Sequence, residues 1–333
     1  MSMQNDRRGA IKRLKLLTYN SKTPLEVFRS KLENEFKTVF LPNKVERTEY
    51  KYGNVVCDVL SPEIYSSNRI MIYLHGGCFS GGSRASYRDF CSSLASKSYS
   101  RVVVPEYRLA PEYQYPCAVE DVQSVFRAVF TEEQIACSLN SEPGTIVLPE
   151  IIIAADGSAA SLACSLLFNL RDKYRNCIKH VVMFSPWLDV SPQSEILTAK
   201  KAVDEVMSAD VIRNSCSGYT YGANTANPSL SPLLADDDML KNFPPVFIQM
   251  GEKEILLNDA KKFCQRLIDN GNECTLDVWP KMMYMFQMAD KQLSTSHLAL
   301  DKVGKVVTNY TAGEKAIEII NKPVLEYSLR AES

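Results

Sequence analysis

Histidine is scarce in this chain: His75, His180 and His297 are its only three in 333 residues, and they lie far apart in sequence. A zinc site has little to build on with so few imidazoles, and no metal or other cofactor is expected. The ten cysteines show no C-x-x-C spacing and no compact framework, so buried thiols in a reducing compartment are expected rather than disulfides. No segment reaches the roughly 18 uninterrupted apolar residues of a membrane span, and residues 1–15 are polar and basic rather than signal-like. No membrane span and a cytoplasmic location are the resulting expectations. Neither sign of charge dominates, with 38 Lys and Arg against 39 Asp and Glu, which argues against a nucleic-acid partner. The cluster Arg7, Arg8, Lys12, Arg13 and Lys15 is read as a solvated face.

What is present is a substantial apolar complement, 45% of residues, enough for one large α/β domain or a domain with a cap. Thr23-Pro24-Leu25-Glu26 reads as a capping box opening a helix, with Leu25, Phe28, Leu32, Phe36 and Val39 at helical spacing. Strand-like stretches 45–52 and 55–60 meet at Gly53-Asn54 as an antiparallel hairpin at a sheet edge. Apolar runs at 70–74, 101–105, 151–155, 180–184, 245–250 and 274–279 then alternate with helical stretches at 87–96, 118–130, 158–170, 259–270 and 294–309. Strands separated by helices imply a mostly parallel sheet with right-handed crossovers. Residues 190–225 break the alternation and are expected to form a lid over the carboxyl ends of the strands. The expected division is an N-terminal helical cap segment at 1–45, a core at 46–310 holding the 190–225 insertion, and a C-terminal extension at 311–333.

The run Ile151-Ile152-Ile153 leads into Ala154-Ala155-Asp156-Gly157-Ser158-Ala159-Ala160. Small residues two places either side of Gly157 suit a tight strand-to-helix turn of the kind that presents a nucleophile. Glycine accepts the positive φ of such a turn without strain but offers no attacking atom. Elsewhere, in this order, stand Leu74-His75-Gly76-Gly77-Cys78-Phe79, Tyr107-Arg108-Leu109-Ala110-Pro111-Glu112, Ser185-Pro186-Trp187-Leu188-Asp189 and Ser231-Pro232-Leu233. Together these motifs resemble the hormone-sensitive-lipase-like branch of the α/β hydrolases, from about residue 69 to about residue 300. The resemblance implies the α/β-hydrolase fold, a mostly parallel central sheet flanked by helices, with an α-helical cap.

It also implies an oxyanion hole from backbone amides, here at Gly76, Gly77, Cys78 and Ser158, with Cys78 replacing a glycine and narrowing the pocket. The family's nucleophile position is Gly157. Its acid position is matched by Glu254 in Gly251-Glu252-Lys253-Glu254, and its base position by Tyr284 in place of histidine. A phenol with an ordinary pKa of about 10 is no substitute for imidazole near neutrality. His75 reads as a structural hydrogen-bonder, His297 as a packing or surface residue, and Ser161 as a helix-face residue.

Three functions follow as expectations. The first is a catalytically inactive or strongly impaired carboxylesterase-like protein that binds a small acyl, ester or carboxylate ligand, or a protein partner. The second is a weak ester hydrolase using Ser158 or an activated water. The third is a structural subunit, which predicts a pocket filled by Tyr284, Met283 and Cys78. Gibberellin receptors of the same family, in which loss of the histidine left a ligand sensor, give the first a precedent.

Overall fold

A computed structural model describes residues 6–20, 22–37, 41, 44–139, 148–198 and 204–309. Its centre is an eight-stranded sheet in the order β1-β2-β4-β3-β5-β6-β7-β8. The strands are β1 Val45–Tyr52, β2 Val55–Pro62, β3 Arg69–Leu74, β4 Arg101–Pro105, β5 Glu150–Asp156, β6 Ile178–Phe184, β7 Val246–Gly251 and β8 Cys274–Trp279. The β1/β2 hairpin sits at one edge, β2 meets β4 antiparallel, and every later pairing is parallel. β3 is buried along its whole length and β5 from its second residue onward. That explains why both read as unbroken apolar runs rather than as alternation.

The larger flanking helices are α1 Arg7–Leu14, α2 Leu25–Phe36, α3 Arg84–Ser98, α4 Cys117–Leu139 and α5 Ala159–Phe168. They are followed by α6 Asp172–Arg175, α7 Glu195–Thr198, α8 Ala209–Tyr219, α9 Asp237–Leu240, α10 Leu257–Asp269 and α11 Ser294–Asn309. Two local expectations are corrected. The capping box does not form: Pro24 is itself the N-cap of α2 and no side chain caps the helix. And α4 runs nine residues past its expected end at Phe130, because its inner face continues with Glu133 and Cys137, both buried. Arg101 neutralises that buried glutamate at 2.6 Å, so a charged residue occupies a core position that apolar periodicity does not reveal.

The basic N-terminal cluster is also corrected, since it is not merely solvated. Arg13 is 8% exposed; its guanidinium donates to the Met288 carbonyl and to Glu35 and lies 4.4 Å from the Phe36 ring centre. Arg7 donates to the Lys281 carbonyl at 2.6 Å and pairs with Glu205. α1 is thereby fastened to the segment after β8. On α2, Phe28, Leu32 and Phe36 are buried, each contributing roughly 1.5–3 kcal/mol of apolar burial. No helix among the described residues is long and apolar enough to cross a membrane.

Candidate functional site

β5 delivers the chain to the centre of the sheet's carboxyl edge and α5 leads it away, with Gly157 at the turn in the left-handed region, φ +51°. Its amide donates to the Phe184 carbonyl and its own carbonyl accepts from Trp187 N–H, both at 3.0 Å. The strand-to-helix elbow expected there is present. A β-carbon placed on Gly157 would stand 2.3 Å from the Tyr284 hydroxyl, 3.5 Å from its Cζ and 3.8 Å from Trp187 Nε1. The space above Gly157 into which a nucleophile's side chain would grow is held by the phenol.

Tyr284 is 2% exposed. Burial drives its pKa well above the ordinary phenol value, Asp156, Cys78 and Glu254 add to the rise, and the Trp187 indole opposes it. The hydroxyl therefore stays protonated. Glu254 is likewise buried, and its carboxyl is pushed well above the usual range by desolvation and by the neighbouring charge of Asp204. Its Oε1 accepts from Gly251 N at 2.6 Å and from Ser185 Oγ at 2.9 Å. Ser185 Oγ in turn accepts from the Met285 amide at 3.1 Å. The glutamate's hydrogen bonds thus reach the backbone beside Tyr284, not the phenol.

Ser158 does not present a free hydroxyl. It is 2% exposed, and its Oγ accepts from the Phe79 amide at 3.1 Å. Ser161 Oγ donates to the Ser158 carbonyl, a helix-face role as expected. Gly77 has φ +122°, and a β-carbon there would lie 2.2 Å from the Gly81 carbonyl oxygen, so this loop demands glycine. Gly76 donates its amide to Asp156 Oδ1 at 2.7 Å.

Cys78 takes φ +61° and turns its sulfur toward the N-terminal segment, accepting from Tyr19 N at 3.3 Å and donating to the Leu17 carbonyl at 3.5 Å. Burial raises this thiol to about 11, which leaves it a packing residue rather than a nucleophile.

Aromatic rings close the site from above. Phe79 stacks on Tyr219 of α8 at 4.1 Å and meets Trp187 edge-on at 5.8 Å; all three are at most 5% exposed. Met283, next to Tyr284 in the chain, is fully buried. A cleft of about 710 Å³ opens elsewhere, between α2 and the loop after β4, with Arg29, Glu33, Glu106 and Tyr113 among its lining. Gly157, Ser158, Glu254 and Tyr284 do not line it.

His75 is structural, as its place in the loop suggested: fully buried, stacked on Tyr107 at 4.4 Å, and held down to about pKa 4 by burial. His297 lies half-buried on α11. Asp156 was missed as a site residue. It is 1% exposed, accepts from Tyr73, Tyr87 and Gly76, and is raised by burial to about pKa 6. Its position immediately before Gly157 was the available signal. Among the described residues no group of three or more His, Cys, Asp or Glu could hold a metal.

This architecture matches known proteins. Residues 71–288 fit the family profile described as the alpha/beta hydrolase fold. The acetyl-hydrolase of Streptomyces hygroscopicus is 29% identical over 243 residues, 73% of this chain and 76% of the relative. An esterase of Acinetobacter venetianus is 28% identical over 245 residues, 73% and 76% of the two chains. Among solved structures, a hormone-sensitive lipase from a metagenome library superposes with a TM-score of 0.77 at 25% identity, covering 92% of this chain and 99% of that one. A bacterial esterase of the same family superposes at 0.79 with 24% identity, over 93% and 99%. The chain belongs to the α/β-hydrolase family, and among the proteins it is similar to are esterases and a hormone-sensitive lipase.

Proposed function

We propose that this protein is an α/β hydrolase that no longer hydrolyses esters, its former catalytic centre having become packed core. The carrying observation is the 2.3 Å between the Tyr284 hydroxyl and the point where a Gly157 β-carbon would be. Covalent ester hydrolysis in this family's manner needs a nucleophile, a base near neutrality and a carboxylate that orients the base. Here the three positions offer no attacking atom, a buried phenol in place of an imidazole, and a carboxyl whose pKa burial raises and whose hydrogen bonds go to Ser185 and Gly251 instead of to a base. A small acyl or carboxylate ligand at Gly76, Gly77, Cys78 and Ser158 is disfavoured for a related reason: the Tyr284 hydroxyl stands directly over Gly157, and the Gly76 amide is already bonded to Asp156. Ser158 as a displaced nucleophile is disfavoured by its buried bond to Phe79.

The test is hydrolysis of short-chain p-nitrophenyl esters by purified wild type and Ser158→Ala. Both are expected at the uncatalysed background. Turnover by the wild type that disappears in Ser158→Ala would replace this reading with that of a weak esterase.

A further inference from the structure

Helix α10 and strand β8 are joined by a tight turn that folds the chain back on itself. Gly271 takes φ +78°, and the Asn272 amide donates to the Leu267 carbonyl at 3.0 Å, so the turn closes directly onto the end of the helix. Two strand residues, at about 3.3 Å each, then carry the chain back from Asn272 over the helical rise between Leu267 and Cys264, about 4.5 Å. Cys274, the first residue of β8, thereby comes level with Cys264 of α10.

Both side chains face the space between helix and strand. Cys264 belongs to the buried stripe of α10, with Ala260, Phe263 and Leu267. On β8, Asp277 turns to Lys302 of α11 at 2.5 Å, so alternation along the strand sends Cys274 to the opposite face. The two thiols interact directly. Contact with Cys274 lowers the Cys264 thiol pKa against the effect of burial, while burial and then the same contact push Cys274 well above the ordinary thiol range. Access also sets this pair apart: Cys264 is 7% exposed and Cys274 partly exposed. By contrast, Cys57, Cys78 and Cys177 donate to backbone carbonyls, and Cys91 and Cys164 are fully buried.

We propose that Cys264 and Cys274 form an oxidative modification site, closing to an intramolecular disulfide on exposure to hydrogen peroxide. The Cys264 thiolate attacks one peroxide oxygen, the O–O bond breaks, and hydroxide leaves a sulfenic acid on Cys264. The Cys274 sulfur then attacks that sulfur; the S–S bond forms as the S–O bond breaks and a second hydroxide departs. The protons of the two thiols convert the hydroxides to water, so one peroxide is reduced as the pair is oxidised. The bond fastens α10 to β8, the edge strand of the described sheet, which in turn carries the chain toward Tyr284.

Tryptic cleavage after Lys262, Arg266 and Lys281 places the two cysteines on separate peptides, 263–266 and 267–281. The full-length native protein is exposed to graded hydrogen peroxide, free thiols are blocked with iodoacetamide, and non-reducing tryptic maps are read by mass spectrometry. The two peptides are expected linked, separating on reduction, with the link forming about tenfold faster than Cys78 is oxidised, the thiol of Cys78 being raised by burial to about 11. Recovery of both peptides alkylated and unlinked after Cys78 has reacted would overturn the proposal, as would a link from either residue to a different cysteine. A covalent dimer on a non-reducing gel would assign the bond to separate molecules and overturn it as well.

Discussion

Adding one methyl group at Gly157 tests the packing of the elbow quantitatively. In Gly157→Ala the new carbon would sit 2.3 Å from the Tyr284 hydroxyl, more than an ångström inside ordinary contact, and overpacking of this kind costs about 1–3 kcal/mol. The left-handed backbone at φ +51° adds about 1–2 kcal/mol for any residue with a β-carbon. The single variant should therefore lose about 2–5 kcal/mol. Tyr284→Phe removes the clashing oxygen while keeping the ring, whose Cζ stands at 3.5 Å, an ordinary contact. In Gly157→Ala with Tyr284→Phe the steric part vanishes and only the backbone part remains. A double-mutant cycle measured by denaturant unfolding should then return a favourable coupling of about 1–3 kcal/mol. Additive effects would show that the phenol does not occupy the space above Gly157.

The remaining predictions concern neighbouring groups. Asp156, raised by burial to about 6, holds its proton in the folded state from pH 6 down toward 4 and so contributes stability as pH falls through that window. His75 and His180, both held down to about 4, work oppositely, because the unfolded chain protonates them from about pH 6.5 downward. Asp156→Asn removes the first effect alone, so pH-dependent melts should show stability falling more steeply between pH 6 and 4, by up to roughly 3 kcal/mol. An unchanged slope would count against the buried carboxyl. Arg13→Ala breaks the buried links to Met288 and Glu35 and should cost about 2–4 kcal/mol, with faster alkylation of Cys78 in peptide mapping as the 6–20 segment loosens. A variant as stable as the wild type would refute that clamp. Ser158→Ala orphans the Phe79 amide and should cost about 1–3 kcal/mol in the same unfolding assay; no loss would mean that the hydroxyl is not the amide's partner.

The strands were legible because their apolar runs have strand length and lie between helical patterns: 45–52, 101–105 and 274–279 match β1, β4 and β8 end to end. The fold followed from motif order. Helix ends were less legible, since Glu133 occupies a core position only because Arg101, thirty-two residues away in sequence, reaches it, and since Pro24 takes the cap that Thr23 was expected to supply. Within the site, the identities of Gly157, Glu254 and Tyr284 were readable one by one. Their geometry was not. That the phenol reaches across to Gly157, that Glu254 turns to Ser185, and that Cys78 faces Leu17 and Tyr19 are consequences of how separate loops converge, which local pattern does not encode. Arg7 and Arg13 belong to the same class, being indistinguishable in sequence from the solvated cations beside them.

The central claim is that no side chain at this elbow can attack an acyl or phosphoryl centre. Intact-protein mass spectrometry after exposure to a reactive organophosphorus ester tests it most directly, because an activated serine displaces the leaving group and retains the phosphoryl moiety as a fixed mass increment. Gly157→Ser with Tyr284→His serves as the companion sample, with an adduct expected at position 157. The account predicts an unmodified wild-type mass; a stoichiometric adduct mapping to Ser158 in the wild type would contradict it.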